Sequence, residues 1–81
     1  MSNVLSDQTI TDMLVAVGAS PALTPADFDL TFDELDLDSL ARAEFAARIK
    51  RLSGVEVEDS LLDDSTPNSV RRLVFDALAE V

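Results

Sequence analysis

The chain has 81 residues, 47% of them apolar, and no cysteine, histidine, tryptophan or tyrosine. That composition excludes disulfides, thiolate or imidazole metal sites and any nucleophile activated by histidine. Sixteen acids against six bases give a formal net charge of −10, which makes nucleic acid and anionic membrane surfaces poor partners.

A chain this short buries only about 60% of its unfolded surface and is expected to form one domain over residues 1–81. The opening MSNVLSDQTITDMLVAVG lacks a basic stretch and is interrupted by Asp7 and Asp12. It reads as neither a signal peptide nor an anchor. No apolar run approaches the roughly 20 residues that span a bilayer, so a soluble cytoplasmic protein is expected. Two glycines and three prolines are too few for a turn-rich β fold and favour helices.

From Ser6 to Gly18, the apolar residues Ile10, Met13, Leu14 and Val17 fall on one helical stripe, with Asp7 and Asp12 toward the positive end of the dipole. Pro21, Pro25 and a crowd of acids then break helical reading from Ala19 to Asp38. Within this stretch Asp27 to Asp33 alternates polar and apolar, yet the only other β-like segment is Val55-Glu56-Val57. An isolated two-stranded ribbon is marginal. The reading is therefore a long extended loop with Phe28, Leu30 and Phe32 pointing inward.

Asp38 and Ser39 are both good caps for a second helix, LARAEFAARIKRL, which ends at Ser53-Gly54. Leu40, Ala43 and Ala47 form one seam of it, and Phe45, Ile49 and Leu52 a second. Glu58 to Leu62 has room for one short helical turn before the acidic loop Asp63-Asp64-Ser65. Thr66 followed by Pro67 is a cap with proline at the first helical position. The last helix runs to about Glu80, with Val70, Leu73, Val74, Ala77, Leu78 and Val81 as its buried stripe. The fold class is all-α, a small bundle of three long helices and one short, with a long loop between helices one and two. All six bases lie at or after Arg42, and four of them, Arg42, Arg48, Lys50 and Arg51, fall on the second helix.

Ser39 is the residue on which chemistry could centre. At a loop–helix junction its hydroxyl is accessible, and a phosphate ester there would lie near unpaired backbone N–H groups and the positive end of the dipole. The plain alternative is that Ser39 only caps the helix. With no histidine in the chain, the hydroxyl would have to be deprotonated by another protein's active site.

The segment FDELDLDSLARAEFAARI resembles the modification region of acyl carrier proteins, in which a D-S-L motif opens the second helix of a four-helix bundle. Phe32, Leu35 to Leu40, Glu44, Gly54 to Val57 and Thr66-Pro67 also have counterparts there. The run Asp38 to Ala41, Glu44 and Ala46 to Ile49 is most similar to the free-standing carriers of type II aromatic polyketide synthases. Asp36 departs from the family where glycine often stands. Lys50 and Arg51 replace acids common in fatty-acid carriers.

The resemblance implies a carrier rather than an enzyme, with 4′-phosphopantetheine on Ser39 transferred from coenzyme A. The arm would hold malonyl and growing polyketide groups as thioesters. Asp38, Leu40, Arg42, Glu44 and Val57 would bind partners. Those partners would be a phosphopantetheinyl transferase, a malonyl transferase, a ketosynthase with its chain-length factor, and tailoring enzymes, served by a monomer. A carrier of fatty acyl, aminoacyl or aryl groups shares the same tethering logic, and an unmodified helical interaction module needs Ser39 only as a cap. A calcium loop built on Asp27, Asp29, Thr31, Asp33 and Asp38 is disfavoured by Phe32 at the position that requires glycine. Paired carboxylates at Asp36 and Asp38, or Asp63 and Asp64, lack space for a pocket that would raise one pKa.

Overall fold

In the computed structural model, which describes residues 5–58, 61 and 64–79, every helix starts where a short polar side chain can satisfy free backbone amides. Ser6 opens α1 (Asp7–Ala16), its hydroxyl accepting the Thr9 N–H at 3.2 Å. Ile10 and Leu14 are fully buried and Met13 nearly so, as the stripe predicts. Asp38 opens α2 (Ser39–Ser53). Gly54 ends it at φ 79°, with its N–H donated to the Lys50 carbonyl at 2.7 Å. A Cβ there would meet nothing within 4 Å, so glycine is required for its left-handed backbone and not for space. The Thr66-Pro67 start of α3 (Pro67–Ala79) is as expected. Thr66 Oγ1 accepts the Ser69 N–H at 3.0 Å, while Ser69 Oγ accepts the Thr66 N–H at 2.9 Å.

No strand occurs among the described residues, and the architecture is all-helical. The short helix expected over Glu58 to Leu62 falls mainly on residues 59, 60 and 62, outside the described residues, as does Val81. Three α-helices and one 3₁₀ helix are therefore described.

The loop between α1 and α2 corrects the expectation of an extended chain. Pro25–Asp29 is a 3₁₀ helix, with the Thr24 N–H donated back to Asp27 Oδ2 at 3.0 Å. A single helical turn follows over residues 31–36. The alternation of this segment is real in sequence, but apart from the Phe32 N–H its backbone bonds are local and helical rather than strand-like, so the period-2 pattern does not produce period-2 burial. Phe28 and Phe32 are fully buried as predicted, whereas Leu30 is 36% exposed. The Phe32 N–H reaches the Ser65 carbonyl at 3.0 Å and ties this loop to the approach of α3.

The core joins Leu5, Ile10 and Leu14 with Phe28, Phe32, Phe45, Ile49, Val70 and Val74. Phe32 and Phe45 meet at a ring-centroid distance of 5.3 Å and an interplanar angle of 56°, a tilted pair of the kind worth about 0.5–1.5 kcal/mol beyond burial alone. The wide apolar surface predicted for α2 is narrower in fact. Phe45, Ala46 and Ile49 are buried, while Leu40, Ala47 and Leu52 face outward. On α3, Leu73 and Leu78 are likewise more exposed than the stripe predicts. α1 packs on α2, and α3 on the 3₁₀ helix, so each helix has only part of its circumference covered.

Candidate functional site

The backbone leading into α2 is held by a motif that closes the turn at residues 31–36. Thr31 and Glu34 cap its start reciprocally. Glu34 Oε1 accepts the Thr31 N–H at 2.8 Å, and Thr31 Oγ1 accepts the Glu34 N–H at 3.0 Å. At its end the Leu37 N–H bonds the Phe32 carbonyl at 2.9 Å, and the Asp36 N–H bonds that of Asp33 at 3.0 Å. This nested pair of bonds needs a left-handed residue, and Asp36 supplies it at φ 63°. The left-handed geometry is thus held by an aspartate, which is among the few non-glycine residues that tolerate it. Leu37, 2% exposed, anchors the turn in the core.

One residue further on, Asp38 Oδ1 accepts the Ala41 N–H at 2.9 Å, and its carbonyl accepts the Arg42 N–H at 2.9 Å. Asp38 is the cap, and Ser39 is the first residue of the helix. The reading of Ser39 as a mere cap is thereby removed. Ser39 is exposed, and no described residue hydrogen-bonds its hydroxyl. The N–H groups of Ser39 and Leu40 also lack acceptors among the described residues, and they sit at the positive end of the α2 dipole. An exposed hydroxyl beside two free amides suits a phosphodiester, because the ester oxygens find donors without displacing any protein contact.

The neighbouring residues divide by exposure. Leu40 is 77% exposed, and Glu44 is exposed one turn along on the same side. Arg42 is half-buried, and its Nη1 donates to the Leu37 carbonyl at 3.4 Å, so it braces the turn as well as facing outward. Val57, expected on the partner-facing surface, is 2% exposed and belongs to the core, where its branched apolar side chain gains most from burial. Asp38, Ser39, Leu40, Arg42 and Glu44 thus gather at one end of α2, and Val57 offers no surface there.

Three acids of this region are occupied individually. Asp27 takes the Thr24 N–H, Asp29 takes Asn68 Nδ2 at 2.8 Å, and Asp38 caps α2, so they do not converge on one point. Sequence reasoning passed over the cap at Thr31 and Glu34 and the left-handed role of Asp36. The T-x-x-E spacing at residues 31–34 carried the first of these.

A family model described as "Phosphopantetheine attachment site" matches residues 8–74, and the chain belongs to that family, whose prosthetic group is 4′-phosphopantetheine. The chain is also similar to the granaticin polyketide synthase acyl carrier protein of Streptomyces violaceoruber, with 45% identity over 53 residues. The match covers 64% of this chain and 62% of that relative's length. No solved structure matches the chain significantly.

Proposed function

We propose that the chain is an acyl carrier of a type II polyketide synthase, modified on Ser39 with 4′-phosphopantetheine. The observation that carries this reading is the division of labour between adjacent residues. Asp38 satisfies the helix start, which leaves the Ser39 hydroxyl exposed and uncommitted. In the reaction, Ser39 Oγ gives its proton to a base of the phosphopantetheinyl transferase. It attacks the pyrophosphate of coenzyme A, forming the phosphodiester and releasing 3′,5′-ADP. The N–H groups of Ser39 and Leu40 would steady the new phosphate, and the turn closed by Asp36 would hold the hydroxyl away from the surface behind it.

The arm supplies a terminal thiol that holds malonyl and polyketide groups as thioesters, a nucleophile this cysteine-free chain does not have. The polypeptide catalyses no step of its own. Asp38, Leu40 and Glu44 form the docking surface beside the arm, where exposed carboxylates steer partners with basic rims and Leu40 gives an apolar contact. Tethering raises the local concentration of the intermediate, so modest contacts with the malonyl transferase, ketosynthase and tailoring enzymes suffice. The likeness to a polyketide synthase carrier favours that pathway over fatty-acyl or aminoacyl transport. The same reading makes residues 1–81 a single monomeric carrier domain in the cytoplasm. Among the described residues no helix is long and apolar enough to cross a membrane.

Intact mass after incubation with coenzyme A and a broad-specificity transferase tests the reading. One phosphopantetheinyl group should be gained by the wild type and none by Ser39→Ala. An unmodified wild type would return the chain to the class of helical interaction modules.

A further inference from the structure

The outward groove between α1 and α2 carries cations that pair with no acid among the described residues. Thr9, Asp12 and Met13 line it from α1, and Arg48, Arg51 and Leu52 from α2, around a volume of about 420 Å³. Sixteen acids surround six bases in this protein, and ion pairs form where the fold brings them together. Lys50 pairs with Glu56 at 3.0 Å and Arg71 with Asp7 at 2.6 Å. Arg48 and Arg51 have no such partner among the described residues. Asp12, the acid within the groove, accepts from Gln8 Nε2 at 2.8 Å instead. The Nε of Arg48 is buried without a hydrogen-bond partner among the described residues, a donor whose desolvation is uncompensated in the free protein. Between the charges Leu52 stays 47% exposed.

We infer that this groove is a second docking site, which takes an acidic segment of a partner synthase subunit. The inference rests on the carrier reading for the identity of that partner. A carboxylate pairs with the guanidinium groups of Arg48 and Arg51, and an adjacent apolar side chain packs on Met13 and Leu52. The two arginines lie nine and twelve residues beyond Ser39, roughly 14 and 18 Å along the helix axis. The docking face is therefore bipolar, with carboxylates around Ser39 and cations at the far end of α2. A partner must match both signs at this spacing, and one that meets only the acidic end docks more weakly. This sets both the orientation of docking and discrimination among carriers.

The test is titration of the ¹⁵N-labelled apo protein with a purified type II ketosynthase–chain-length factor heterodimer, which needs no loaded arm. Amides of Thr9, Asp12, Met13 and Leu52 are expected to shift together with those of residues 38–44. Arg51→Glu, at an exposed position, should raise Kd about five- to tenfold at low salt, and Arg51→Lys by no more than about twofold. The gap should close as salt approaches about 0.5 M. Arg48→Gln, with folding verified by circular dichroism, should also weaken binding. Shifts confined to residues 38–44, with Arg51→Glu binding like the wild type, overturn the inference. So do groove shifts that depend on carrier concentration alone, which assign the groove to a second copy. Loading of Ser39 is read separately by mass. A chain that loads but shows no groove shift loses only this site, and one that shows groove shifts without loading loses only the arm.

Discussion

Arg71 and Asp7 lie 64 positions apart in the chain and meet through a hydrogen-bonded ion pair, Nη1 to Oδ1 at 2.6 Å. The same Nη1 donates to the Leu5 carbonyl at 3.2 Å, Nη2 donates to Asn68 Oδ1 at 2.8 Å, and the guanidinium lies 5.4 Å from the centroid of the Phe28 ring. One side chain of α3 thus ties the start of α1 to the 3₁₀ helix.

Arg71→Ala should therefore cost about 1–3 kcal/mol, because it strips a carbonyl, a carboxylate and an aromatic face of one shared donor group. Asp7→Ala removes only the exposed half of the ion pair and should cost at most about 1 kcal/mol. Urea denaturation of the two variants checks the order. Equal losses would mean that the carboxylate, and not the backbone carbonyl and ring, dominates the contact.

The capping role of Asp38 separates from its charge. Asp38→Ala should lower stability by about 1 kcal/mol through the orphaned Ala41 amide, while Asp38→Asn keeps an acceptor and stays near wild-type stability. If the carboxylate also steers partners, Asp38→Asn should still slow phosphopantetheinylation, and that deficit should shrink with added salt. Thermal melts and initial loading rates measure the two effects independently.

Asp36 sits at φ 63°, where a residue with a branched side chain is strained. Asp36→Val should destabilise the protein by about 1–2 kcal/mol, while Asp36→Gly should be neutral or mildly stabilising, since glycine reaches this geometry without steric cost. Chemical shifts of Ser39 and Leu40 report whether the turn survives. A valine variant as stable as the wild type would show that the turn is not constrained at this residue.

The hydrogen bond from Lys50, with a second from the Glu58 backbone, holds the Glu56 carboxyl below its ordinary pKa of 4.5. A depressed folded-state pKa contributes stability that is present above the unfolded value and is lost as pH falls through the lowered one. Because the pair is exposed, its contribution should be small and sensitive to salt. Carboxyl-detected NMR titration should find Glu56 titrating low in the wild type and closer to its ordinary value in Lys50→Met, where the Glu58 N–H still donates to the carboxylate.

Local chemistry makes much of this protein legible in one dimension. Ser6, Asp38, Thr66-Pro67 and Gly54 mark helix ends because capping depends on atoms within three or four residues. The D-S-L motif singles out Ser39 for the same reason. Burial is a different kind of quantity. Leu30, Leu40 and Leu52 are as apolar as Leu37, yet they face outward, because coverage depends on which helices meet and each helix here has few neighbours. Val57 is drawn into the core by the same accounting.

What the sequence determined by itself was the three long helices, the acidic character of the chain and the serine at the head of α2, all properties of short windows and counts. Only the tertiary structure decided that Asp38, and not Ser39, performs the capping, that Arg71 reaches Asp7, and that Arg48 and Arg51 stand beside α1 with no ion-pair partner among the described residues. Two adjacent residues of equal capping propensity are separated only by the geometry of the turn before them. Contacts across tens of residues exist only once the chain has closed upon itself.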